Sequence, residues 1–453
     1  MLGKDRMASI VSYVFSRSKA DQTEVIVNYY ESYLTRFANS QIHQNVAEHN
    51  TTVAVRAVVG KKIGVATTNL LAARPLAETV NAALEIARHQ ADNPDFQSLA
   101  KTKRREYAKL KTYFPKTHSF SAEDRAAVVK LICDQAKVDD LRAFGSFTNG
   151  VSEFAVANSL GTFAYNVGTD AYCNVAMLGE SSGSGYAEGA DRNVEKVDAR
   201  AIAARAITKA VKSREPGDTE PGVYEVVLEP LAVADFLGFL GWLGLGAKTY
   251  QEGRSFLCDK MGQKITGDNI NLSDDFSLGF AFPFDFEGAA KQKVVFIEKG
   301  VAKGLAYDSM TAFKEGKKST GHALPAPNAY GPMPWNLILD PGTTSLAEMI
   351  GSTKKGILIT RFHYTNVVDP KKTIITGMTR DGTFLVENGE VTRPLKNLRF
   401  TESILDSLSH VSGLSKELTL VGGGAGYGGR FATGSLVPAL KTTKFTFTSK
   451  TEF

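Results

Sequence analysis

The 453 residues are 43% hydrophobic and 22% charged, as expected of a globular chain long enough for two domains. A net charge of +5 is mild for this length and gives no reason to expect nucleic acid as a partner. Cys133, Cys173 and Cys258 stand far apart and form no CxxC, which favours reduced thiols over a disulfide framework.

The N-terminal stretch has no secretory apolar core with a small-residue cleavage site. The longest charge-free apolar run, residues 236–247, is short against the roughly 20 residues that span a bilayer. The expectation is a soluble, cytoplasmic protein with no membrane partner.

In chain order, residues 8–18 form a short amphipathic helix with Ile10, Val11, Val14 and Phe15 on one face. Strands follow at 24–32, 33–39, 51–59 and 62–69, the last two joined in hairpin fashion at Gly60-Lys61. A second helix opens at Pro75, with Leu76, Val80, Ala83, Leu84 and Ala87 along one stripe. Ser121 with Asp124 resembles a capping box ahead of a third helix. Strands near 153–158, 161–167 and 171–178 lead to a helix over 198–212.

The polar segment 214–222 holds two Pro-Gly turns and reads as a linker, dividing the chain into domains 1–215 and 216–453. Beyond it the chain is rich in strands, with helices only near 231–250, 344–352 and 402–410. Helices and strands segregate without a βαβ rhythm, so the fold class is α+β.

Two catalytic patterns fail on context. Gly179-Glu-Ser181-Ser-Gly183 matches G-x-S-x-G, but the glycines after it cannot open the helix a nucleophile elbow needs. Gly424-Ala-Gly426-Tyr-Gly428-Gly429 matches G-x-G-x-x-G, yet no helix N-terminus follows to meet a pyrophosphate. The basic and aromatic run 101–114 reads as a solvated connector with its rings packed down.

None of the seven histidines pairs at i,i+4, and no His, Cys, Asp or Glu set has zinc-site spacing. His363 sits in a strand with the polar company of Arg361, Tyr364 and Asn366, which suits a binding cleft. In the run 236–247, Gly238, Gly241 and Gly244 fall on about a third of a helix circumference at ~100° per residue. Such a stripe suits a buried core helix or close packing against a partner.

Several segments together resemble the TldD/PmbA family: YLTRFANSQIHQN, TTVAVRAVVGKKIGVATTN, PGVYEVVLEP, QEGRSFLCDKMGQKI, VVFIEKGVAKGLAYD, STGHA, PGTTSLAEMIGSTKKGILITRF and FLVENGEVTRPLKNLRFTESIL. Members of this family are described as metallopeptidases and as modulators of DNA gyrase. The resemblance implies an N-terminal mixed α/β sandwich, a β-rich C-terminal domain and work as a dimer. It also implies two subunit types. TldD-like chains carry an HExxxH helix whose zinc site a cysteine completes, and PmbA/TldE-like chains lack these ligands.

Counting from Pro230 places Gly238, Phe239 and Leu243 where His, Glu and His would stand, and the cysteine position falls near Gly429–Arg430. The resemblance therefore implies a PmbA/TldE-like chain with no catalytic residue and no cofactor of its own. Zinc is expected only in a TldD-like partner. The implied assembly is a heterodimer degrading or processing unfolded peptides. The resemblance implies that the strand with Arg361, His363, Tyr364 and Asn366, and the loop 422–430, would face such a peptide. The alternative is a stand-alone homodimer that binds or regulates a target such as gyrase, without peptidase activity.

Overall fold

The computed structural model describes residues 1–453 except 104, 105, 181, 281, 427, 428, 452 and 453. Ser181, the basic pair Arg104-Arg105 and the glycine-loop residues Tyr427 and Gly428 thus lie outside the described residues.

The first half begins with α1 (Lys4–Arg17) and the strands β1 (Gln22–Ala38), β2 (Gln41–Val59) and β3 (Lys62–Thr68). Helices α2 (Ala73–His89), α3 (Pro115–His118) and α4 (Ala122–Val138) follow. Then come β4 (Leu141–Asn158), β5 (Phe163–Gly179), β6 (Ser184–Asp191) and α5 (Ala199–Lys212). The six strands form one antiparallel sheet in the order β3-β2-β1-β4-β5-β6.

Strand alternation gives this sheet two unlike faces. On one face Val25, Val27, Val53 and Val55 meet Met7 and Val11 of α1 and Leu76, Val80 and Ala83 of α2. Further along it, Phe37, Phe147 and Cys173 meet Val129 and Ile132 of α4 and Ile202 and Ala206 of α5. On the other face Ile26, Phe154 and Val156 pack against Phe282 and Phe284 from the second half. Ser121 caps α4 as expected: its Oγ accepts from Asp124 N (3.1 Å) and its own N donates to Asp124 Oδ2 (2.9 Å).

The second half opens with β7 (Gly222–Leu228), α6 (Pro230–Gly244) and α7 (Ala247–Gln251), then β8 (Leu272–Asp274), β9 (Val294–Glu298) and β10 (Val301–Ala302). It continues through α8 (Ser309–Lys314), β11 (Leu337–Leu339), α9 (Leu346–Gly351), β12 (Lys355–Asp369), β13 (Ile374–Glu387) and β14 (Glu390–Pro394). It ends with β15 (Leu398–Ser403), α10 (Ile404–Ser409), β16 (Val411–Leu414), β17 (Thr419–Gly426), β18 (Gly429–Val437) and β19 (Leu440–Lys450).

One sheet runs β10-β9-β8-β11-β18-β17. The other runs β12-β7-β19-β15-β13-β14, and an added β12–β13 pairing closes it on itself as a barrel. Helix α6 lies between the two. Its Phe236 ring stacks on Phe362 and Phe445 of the barrel at 5.6 and 6.3 Å between centroids, and Leu337 of β11 lies against Gly241.

The sequence reading holds for most element types, errs on extent, and misses the strands β6 and β18, whose glycine-rich segments it reads as turn and loop. The strands expected over 24–32 and 33–39 are one strand, β1 (Gln22–Ala38), and those near 161–167 and 171–178 are one strand, β5 (Phe163–Gly179). Tertiary partners satisfy polar residues in their middles: Glu31 accepts from the Met1 ammonium at 2.6 Å and lies 2.8 Å from His118 Nε2. The helix expected over 231–250 breaks at Gly246, where an added Cβ would stand 2.2 Å from the Pro332 carbonyl oxygen. Segment 214–222 is also anchored, since Gly217 N donates to Pro394 O (3.0 Å) and Lys396 N donates back to Gly217 O (2.9 Å).

Candidate functional site

Helix α6 begins at Pro230, whose fixed φ suits a first helical position. Most of its sides are buried, which its nearly continuous apolar sequence requires. One stripe stays accessible: Asp235, Gly238 and, half exposed, Trp242. The glycine stripe expected to face a single neighbour is divided. A Cβ on Gly244 would meet Ser255 Oγ at 2.6 Å and the Phe256 ring at 2.7 Å, whereas Gly238 has nothing within 4 Å.

Asp235 is the one ionisable side chain on α6, and it has no hydrogen-bond partner among the described residues. Burial raises its pKa to about 7; Arg361 opposes the rise and Glu188 adds to it. Glu188 of β6 is likewise pushed up by burial, against hydrogen bonds from Tyr186 and Tyr172 at 2.7 and 2.9 Å. Arg361 of β12 stacks its guanidinium on the Tyr186 ring at 4.3 Å and donates through Nε to Asp381 Oδ2 (2.7 Å). Helix α6, the barrel and the edge strand of the first sheet therefore meet at one polar cluster.

The other expected cleft residues diverge from Arg361. β12 loses register between His363 and Asn366, and Tyr364 adopts φ 49° and is 72% exposed. The His363 and Tyr364 rings lie 4.4 Å apart, and Asn366 Nδ2 donates to Tyr364 O (3.2 Å). Burial, with Arg380 and Arg361 nearby, lowers the His363 pKa. Arg361 thus turns into the junction between the halves while Tyr364 and Asn366 face solvent.

Residues 422–426 end β17 and 429–430 begin β18, its partner strand, and β17 lies against β5. A Cβ on Gly424 would stand 2.3 Å from Asp170 Oδ1, and one on Gly423 would stand 3.4 Å from the Tyr172 ring. The glycines let the hairpin backbone reach Asp170, where Gly424 N donates to Oδ2 (3.1 Å). Arg430 is 1% exposed and grips the same carboxylate, Nε to Oδ1 at 2.8 Å and Nη2 to Oδ2 at 2.6 Å.

A groove of about 580 Å³ runs between α5, β6 and the start of β17, with Glu188, Ile202, Arg205 and Leu420 in its wall. Asp235, Glu188, Tyr186 and Asp170 did not stand out in the sequence. Only Asp235 had a legible signal, as the lone charge at the head of an apolar helix.

These residues do not suit a zinc ion. Among the described residues no three His, Cys, Asp or Glu side chains gather as metal ligands. Gly238 and Phe239 offer no donor, Leu243 is buried, and Arg430 sets a buried cation at the position expected for the cysteine.

Three family profiles match the chain: PmbA/TldA metallopeptidase domain 1 over 23–88, the central domain over 115–214 and the C-terminal domain over 221–449. A metalloprotease from Methanothermobacter thermautotrophicus is 28% identical over 251 residues, 54% of this chain and 53% of that one. The chain thus spans about half the length of such a relative. TldE from Thermococcus kodakarensis superposes with a TM-score of 0.87 at 19% identity, covering 97% of this chain and 99% of that one. A protein from Thermotoga maritima, described as a candidate modulator of a DNA gyrase, gives 0.86 at 18% identity, covering 98% and 100%.

Proposed function

The chain belongs to the PmbA/TldD metallopeptidase family, and on that premise we propose that it is a non-catalytic, TldE-like subunit that completes the peptide cleft of a zinc-bearing, TldD-like partner. The observation that carries this reading is α6. The fold around it is intact, yet positions 238, 239 and 243 hold Gly, Phe and Leu, and Arg430 is committed to Asp170. A chain that keeps the scaffold and lacks every metal donor is suited to binding rather than hydrolysis.

The unfolded peptide would lie along Arg361, His363, Tyr364 and Asn366 and into the neighbouring groove, held partly by strand addition. Proteolysis would then occur on the partner's zinc, with none bound by this chain.

The test is metal analysis and peptide cleavage by the purified chain, alone and mixed with a TldD-like protein from the same cell. The expected result is no stoichiometric zinc and no cleavage alone, with cleavage in the mixture. One tightly bound zinc per isolated chain, or no association with any HExxxH-bearing relative, would overturn the reading.

A further inference from the structure

Phenylalanine stands at every second position from 280 to 286, a spacing that sends side chains to one side of an extended backbone. Phe282 and Phe284 are buried, with their centroids 4.8 Å apart, and Phe286 is half-buried. Phe286 meets Trp335 at 5.5 Å and Phe431 at 5.3 Å, and those two rings meet each other at 5.3 Å. All three are half-buried, so they make an aromatic rim that solvent reaches. They border a narrow cavity of about 30 Å³, with room for about two waters.

The same cavity has polar walls in Lys291 and His322. The Lys291 side chain is only 10% exposed, yet its ammonium makes no hydrogen bond among the described residues. Its ion-pair partner, Asp274 Oδ1, stands 3.9 Å away, too far for one. The other Asp274 oxygen accepts from Trp335 N (3.1 Å) and Asn336 N (3.0 Å), and His322 Nε2 lies 3.5 Å from Oδ1. A nearly buried cation thus turns N–H donors without an acceptor onto a cavity of small size.

Charge and space select the group that would supply the acceptor. Burial works to raise the Asp274 pKa, but Lys291, His322 and the backbone donors hold it well below the usual carboxylate range, so Asp274 balances Lys291. Asp285, which accepts from three backbone N–H groups, also lines the cavity. An anion would therefore meet two carboxylates, and a phosphate would not fit the space. A neutral hydroxyl fits it, and the rim suits a ring. We propose that this pocket binds the phenol side chain of a tyrosine, its ring against Phe286, Trp335 and Phe431 and its hydroxyl oxygen accepting from Lys291 Nζ. The inference does not rest on the peptidase reading, because the isolated chain and single amino-acid probes test it.

The test uses the purified full chain carrying Trp242→Phe, which leaves Trp335 as its one tryptophan. Trp242 lies on α6 and is not part of the cavity wall. Titration with N-acetyl-tyrosinamide is expected to change Trp335 emission saturably. N-acetyl-phenylalaninamide lacks only the hydroxyl and is expected to bind at least about tenfold more weakly. The O-phosphorylated tyrosine amide is also expected to bind more weakly than its parent. Lys291→Met keeps the stem and removes the ammonium, and is expected to bring the tyrosine and phenylalanine probes within about twofold of each other, with the far-UV spectrum as folding control. No saturable change with the tyrosine probe would overturn the proposal. So would equal binding of the phenylalanine probe, tighter binding of the phosphorylated one, or discrimination that survives in a folded Lys291→Met chain. Should that variant fail to fold, the three probes on the Trp242→Phe chain still decide.

Discussion

Arg430 and Asp170 form a bidentate ion pair between the β17–β18 hairpin and β5, with both side chains almost wholly withdrawn from solvent. Arg430 also donates to the Asp170 carbonyl (3.0 Å) and to Ser32 Oγ (3.0 Å). Gly150 makes room for it, since a Cβ there would lie 2.7 Å from Arg430 Nε. The pair joins the two halves of the chain.

Breaking this pair from one side leaves a buried charge without a partner. Arg430→Met or Asp170→Leu is expected to cost about 3–5 kcal/mol. The double variant should recover a substantial part of that loss. Urea unfolding of all four proteins as a double-mutant cycle measures it; a single-variant cost below about 1 kcal/mol would contradict the account.

The glycines of the site divide by the space around them. Gly238→Ala fills open space in a helix and is expected to stabilise by about 1 kcal/mol. Gly424→Ala drives a methyl group into the Asp170 carboxylate and is expected to destabilise by about 1–3 kcal/mol. Thermal melts of the two variants should shift in opposite directions.

Asp235 supplies a pH dependence whose sign is fixed. Burial raises its pKa in the folded chain to about 7 from the ordinary 3.8, so between these values the folded state binds more protons than the unfolded state. Its contribution to stability therefore falls as pH rises through that window. Asp235→Asn lacks the slope and is expected to exceed the parent in stability by about 1–3 kcal/mol at pH 8, the gap narrowing at pH 5. Urea midpoints at the two pH values check it; a gap that widens on acidification refutes it.

Combining Gly238→His, Phe239→Glu and Leu243→His in one chain is expected to create no tight zinc site. Position 238 faces open space while 243 is core. Arg430, near the position that the family resemblance implies for the cysteine ligand, has its guanidinium committed to Asp170. An imidazole at 243 should itself cost about 2–4 kcal/mol. Competition with a zinc-chelating dye measures the affinity, and a nanomolar site would refute the expectation.

Much of the fold was legible because local chemistry and tertiary packing agree. Pro230 starts α6, Ser121 and Asp124 cap α4, and Gly60-Lys61 closes the β2–β3 hairpin as the residues require. The long strands were shortened in the reading because Asn28, Glu31 and Ser32 interrupt the apolar alternation of β1. Partners distant in the chain, such as Ser32 with Arg430, satisfy some of these polar groups.

The candidate site was legible in what α6 lacks and in Arg361, which the reading of its strand named. Gly238, Phe239 and Leu243 carry no metal donor whatever the fold around them, so the sequence alone decided that α6 offers no zinc site. It could not place Arg430 against Asp170 or Asp235 near Glu188 and Arg361. Those contacts join residues far apart in the chain, and neither periodicity nor spacing encodes which faces meet. Packing the first sheet against the second half withdrew these charges from water, and that burial raised the pKa values of Asp235 and Glu188 and fixed Arg430 against Asp170 and Ser32.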